Sequence, residues 1–121
     1  MTNVTIFESL LITHFVMDWI FQTSWEALQK DKKWLPLFVH CFVYSVGFIP
    51  AFWYFNVNFI WLILIFVSHI ILDRRKFEFW VLKRVKNIEK EKISESFWNI
   101  LLIGVDQTFH LAIIFIVAVF S

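Results

Sequence analysis

Residues 34 to 72 run for 39 positions without an Asp, Glu, Lys or Arg. As one straight helix that stretch would measure roughly 58 Å, about twice the hydrocarbon core of a bilayer. It must therefore fold back on itself. Asn56-Val57-Asn58 is the expected reversal because asparagine tolerates turn conformations, with Gly47-Phe48-Ile49-Pro50 as the rival site. The asparagine turn divides the run into two arms of comparable length, and Pro50 then kinks the first of them. The rest of the chain agrees: 60% of residues are hydrophobic, 21% are aromatic, and only two glycines and two prolines interrupt them. That is the composition of a membrane protein.

The pattern predicts one all-α domain, residues 1-121, with four transmembrane helices at about residues 4-22, 35-55, 58-74 and 97-120 and a basic amphipathic segment at 75-93. The first span has no Lys or Arg before it and holds Glu8, His14 and Asp18 inside it, so it is expected to be retained and not cleaved as a signal peptide. The lone Cys41 excludes an intramolecular disulfide. No glycine-rich phosphate loop and no paired-cysteine zinc motif is present.

All eleven basic residues fall in two connections, Lys30, Lys32 and Lys33 after the first span and Arg74 through Lys92 after the third. The positive-inside rule makes both connections cytoplasmic and places both termini on the extracytoplasmic face of a multi-pass cell-membrane protein. The formal net charge of +1 conceals this asymmetry. Trp19, Trp25, Trp34, Trp80 and Trp98 are expected at the cytoplasmic interface, and Trp53, Tyr54 and Trp61 at the outer one. In the basic segment Phe77, Val81, Val85 and Ile88 recur at helical spacing, which predicts an amphipathic surface helix able to meet anionic lipid headgroups. Nucleic acid is excluded as a partner, since the basic stretch is short and no recognition motif accompanies it. Self-association into a homo-oligomer stays open.

Three of the four histidines have an aspartate one helical turn away: His14 with Asp18, His69 with Asp73, and Asp106 with His110. Residues four apart share a helix face. The order reverses in the last pair, and the fourth span runs opposite to the first and third, so all three pairs are in register relative to one membrane face. His40 on the second span has no acid beside it, but Tyr44 follows one turn later and can hydrogen-bond. Gln22 and Asn99 extend the polar faces of Asp18 and Asp106, whereas Gln107 is expected to point away. An aspartate near the middle of a spanning helix costs about 2.5 to 3.5 kcal/mol on insertion scales. Three of them need a compensating partner, and a divalent metal such as zinc suits imidazole nitrogens and carboxylate oxygens. The candidate ligands are His14, Asp18, His40, His69, Asp73, Asp106 and His110, with Asp18 and Asp106 the candidate catalytic carboxylates.

Simpler roles exist for individual members. A single intramembrane histidine such as His40 can serve only to hydrogen-bond between helices. Asp73 lies beside Arg74 and Arg75, where ion pairing alone would explain it.

The run His14-x-x-x-Asp18-x-x-x-Gln22, the basic Lys30 and Lys33, the lone His40, His69-x-x-x-Asp73 and Asp106-Gln107-x-x-His110 together resemble a family of small bacterial integral membrane proteins, domain of unknown function 3307. The likeness covers nearly the whole chain and implies no established activity. A looser likeness, H-x-x-x-D on membrane helices, links it to membrane-bound metal-dependent hydrolases and is analogy only. Three functions compete: a metal-binding protein with hydrolytic chemistry, a proton or metal-ion transporter, and a non-enzymatic membrane interaction module. The outer halves of the second and third spans are apolar apart from the asparagine turn, so no complete transport path is visible.

Overall fold

The computed structural model describes residues 4–121, and among them every regular element is helical. Helix α1 (Ile6–Phe15) begins at a capping box in which Thr5 Oγ1 accepts from the Glu8 amide and Glu8 Oε2 accepts from the Thr5 amide. It continues into a π-helical turn, Val16–Ile20, closed by Phe21 N donating to Val16 O at 3.1 Å. The short α2 (Ser24–Gln29) starts on a second capping box, Thr23 with Glu26.

Helices α3 (Trp34–Val46) and α4 (Ile49–Tyr54) form one apolar stretch of 21 residues, interrupted at Gly47-Phe48. The expected kink at Pro50 is thus displaced: Pro50 lies in the first turn of α4, where a missing amide hydrogen removes no helical bond. The break falls at Gly47 because the first segment crosses closely there, and a Cβ on Gly47 would overlap Met17 Cγ. The chain then reverses at the asparagines, as expected. Asn56 adopts a left-handed conformation, φ 55°, and Asn58 Oδ1 accepts from the Ile60 amide at 3.0 Å.

Helix α5 (Trp61–Asp73) stops at Arg75, which is left-handed at φ 66°. The basic segment that follows is not one continuous amphipathic helix. It consists of α6 (Lys76–Trp80), a π-helical turn (Val81–Val85), a left-handed Asn87 and a 3₁₀ turn (Lys90–Lys92). The π winding shifts the angular register, so Val81 and Leu82 are buried while Val85 is exposed, and the expected stripe is lost. Trp98, at the start of α7, is buried against Leu82 and Leu102 and stacks on Phe79. Ser94 Oγ accepts from the Phe97 amide to start the 26-residue α7 (Glu95–Phe120).

Two stretches, Trp34–Tyr54 and Glu95–Phe120, are long and apolar enough to cross a membrane, whereas α5 has 13 residues. Helix α5 packs between α3 and α7, and α7 also packs on α1. Leu10, Phe48, Phe52, Ile65, Ile114 and Val117 fill the end of the bundle nearest the Asn56 turn, and Leu82, Trp98 and Leu102 fill the other. The polar residues occupy the layer between them.

Candidate metal centre

All four histidines and the three aspartates at one-turn spacing are buried, none more than 5% exposed. Their actual partners are mostly on other helices. His40 Nε2 lies 3.0 Å from Asp18 Oδ1, 3.0 Å from Asp73 Oδ2 and 2.9 Å from His69 Nε2. His69 Nε2 lies 3.0 Å from Asp73 Oδ2 and 3.6 Å from Asp18 Oδ1. Two nitrogens and two oxygens from three helical segments thus converge on one point. Ligands about 2.0 to 2.2 Å from a tetrahedral zinc stand roughly 3.4 Å apart, so the 3.6 Å separation is already suitable and those of 2.9 to 3.0 Å would open by about 0.4 Å to admit such an ion. Without a shared cation or proton, two imidazole lone pairs would face each other at 2.9 Å beside two carboxylates.

The one-turn pairs fare differently. His69 and Asp73, on regular α-helix, stay in contact. His14 and Asp18 separate, because Asp18 sits in the π-helical turn, whose wider winding re-aims its carboxylate toward His40. Both His14 nitrogens are used elsewhere: Tyr44 O–H donates to Nδ1 at 2.6 Å, and Nε2–H donates to Gln107 Oε1 at 2.8 Å. Gln107 Nε2 in turn donates to Asp18 Oδ2 at 3.2 Å and Asp106 Oδ2 at 3.3 Å, and these two carboxylates fix the direction of the amide. Gln107 therefore joins the first and fourth polar segments, contrary to the expectation that it points away. His110 Nδ1 donates to its own helix, to Asp106 O at 2.8 Å, and its Nε2 lies 3.5 Å from Asp73 Oδ1. Asn99 is exposed and takes no part.

Asp73 does not pair with its neighbouring arginines. Lys30 Nζ reaches it at 2.9 Å, while Arg74 lies over the Trp34 ring at 4.3 Å. Burial alone would lower the Lys30 pKa, but the Asp73 and Asp18 carboxylates outweigh it and hold the ammonium above its ordinary value. Glu26, which caps α2, turns its carboxylate to His40 Nδ1 at 3.4 Å, the placement by which a carboxylate orients a ligating imidazole. Sequence reasoning missed Glu26, although Thr23-x-x-Glu26 is a capping signature that marks α2. Glu78 was also missed. Fully buried under α7, it has both carboxylate oxygens without a hydrogen-bond partner, and burial pushes its pKa up to about 7.

A cleft of about 100 Å³ reaches this layer from the side of the basic connections, bordered by Asp18, Gln22, Lys30, Arg75, Asp106 and Gln107. One donor atom from each of Asp18, His40, His69 and Asp73 lies within 4.8 Å of the others, and the same holds for Asp73, Asp106 and His110. The molecule is thus a helical bundle with a buried His/carboxylate cluster able to hold a metal ion, built on apolar helices. Residues 6–121 match the family model described as protein of unknown function DUF3307, and the chain belongs to that family. No curated protein and no solved structure matches it.

Proposed function

We propose that the chain is a polytopic membrane protein that holds a divalent ion, zinc or a similar metal, between Asp18, His40, His69 and Asp73, and uses it for hydrolysis. The observation that carries this is the convergence of four donor atoms at 2.9 to 3.6 Å. A bound ion of this kind would polarise a substrate oxygen or activate water. Asp18 and Asp106 are the carboxylates at the cleft, where they meet whatever enters. His14 stays a neutral hydrogen-bonding residue that positions Gln107.

Four helical segments cross the bilayer in this reading, with both termini extracytoplasmic and the basic residues on the cytoplasmic side against anionic headgroups. Exposed apolar side chains support it on every segment: Ile12, Phe15, Phe42, Trp53, Ile63, Ile71, Phe115 and Val119 are 41% to 76% exposed. The first and third segments are short, α5 measuring about 20 Å, and a bilayer accommodates such a mismatch by local thinning. Transport is disfavoured because Phe48, Phe52, Ile65 and Ile114 close the far end of the cluster with a dry apolar plug.

Metal analysis of the detergent-purified protein after zinc addition and desalting tests the reading. Stoichiometric zinc in the wild type, lost in His40→Ala and His69→Ala, is expected, and background zinc in the wild type would overturn it. Zinc or proton flux into liposomes carrying the protein would replace hydrolysis with transport. Reporter fusions at Ser121 check the topology, with an extracytoplasmic signal expected.

A further inference from the structure

The four-atom set leaves half of Asp73 unused. Its Oδ2 faces His40 and His69, while its Oδ1 faces the other way, toward His110 Nε2 at 3.5 Å. Asp73 Oδ1, Asp106 Oδ1 and His110 Nε2 are all buried and have no hydrogen-bond partner. The His110 proton is placed on Nδ1 by the bond to Asp106 O, so the lone pair on Nε2 aims at Asp73. The nearest N–H, His110 Nδ1 at 3.5 Å from Asp106 Oδ1, is already given to Asp106 O, so three buried electron-pair donors meet with no hydrogen to share, an arrangement that a cation would satisfy.

Charge leads to the same place. Asp18, Glu26, Asp73 and Asp106 are four carboxylates at 5% exposure or less, and Lys30 is the ammonium buried among them. With neutral histidines these groups sum to −3, more than a single divalent ion compensates.

We infer that the chain holds a second divalent ion, bound by Asp73 Oδ1, Asp106 and His110 Nε2, with the Asp73 carboxylate bridging it to the first. Carboxylate-bridged ions in two-metal sites stand about 3.5 to 4 Å apart. This rests on the single-metal reading above and extends it. Asp106 then contributes Oδ1 to the second ion while Gln107 holds its Oδ2.

Metal counting distinguishes failure of this inference from failure of the reading beneath it. Full-length protein in detergent is loaded with Zn(II), desalted and analysed by mass spectrometry for zinc per chain. Two per chain are expected in the wild type and one in His110→Ala. One zinc in the wild type, unchanged by His110→Ala and lost in His69→Ala, would overturn the second position and leave the first. No zinc in the wild type would overturn both, and two zincs in folded His110→Ala would overturn the ligand assignment. Should His110→Ala fail to fold, wild-type protein loaded with Mn(II) decides by electron paramagnetic resonance. A spin-coupled pair with suppressed six-line signal is expected, and an uncoupled six-line spectrum at full intensity would overturn the inference.

Discussion

Near the Asn56 turn the bundle is closed by Leu10, Phe48, Phe52, Ile65, Ile114 and Val117, all neutral and buried, while about one to two turns further along the same helices carry His14, His69, Asp73, Asp106 and His110 at similar burial. The apolar end is complete in itself, since each side chain is satisfied by the contact it makes. The polar end is not, because its carboxylates and imidazoles are stable in that place only through each other, Lys30 and, in the proposed reading, a bound cation. Stability and metal binding should therefore come apart at one end and move together at the other.

The largest expected effect is at Asp73, which touches His40, His69 and Lys30. Asp73→Asn should bring bound zinc to background and lower the thermal midpoint, measured on one preparation by mass spectrometry and a melting curve. Retention of stoichiometric zinc would break the comparison. At the opposite end Phe52→Ala should destabilise by about 3 to 5 kcal/mol while the zinc content of the folded fraction stays at the wild-type value. Loss of zinc from folded Phe52→Ala would show that the two ends are not separable. A smaller effect is expected for Glu26→Gln, which keeps the shape of the cap but removes the charge facing His40 Nδ1. Zinc affinity should fall about 10- to 100-fold, as read by competition with a chelating dye.

The smallest effect sharpens the comparison through pH. Glu78 has a folded pKa near 7 against an ordinary 4.5, so the folded state holds its proton more tightly than the unfolded one. Its contribution is fully present below about pH 4.5 and is lost as pH rises through about 7. Melting of the chelator-treated protein should reveal that decline, and Glu78→Gln should flatten it. An unchanged slope in the variant would assign the dependence to other groups.

What was legible in the sequence was the set of residues more than their pairing. One-turn spacing in opposite chain directions brings His69, Asp73, Asp106 and His110 into one layer, and the structure places them there. The partner of Asp18 was not legible, because the π-helical turn at Val16–Ile20, where Met17 crosses Gly47, has no local sequence signature. Gln107 was misread for a related reason: a helical angle locates a Cβ, but a long amide can reach back to two carboxylates. Lys30 counted as one more basic residue of a loop, since nothing near it in sequence shows that Asp73, 43 positions away, receives it.

Helix α2 is built inside out, with Glu26 and Lys30 turned inward and Trp25 and Leu28 outward. This sets an order of assembly. On an isolated chain its inner face carries two hydrated charges, and removing their water gains nothing until His40 and Asp73 stand opposite them. Those two residues meet only when α3 and α5 have packed together. Docking of α2 should therefore follow the pairing of α3 and α5, and it registers whether that pairing placed His40 and Asp73 correctly.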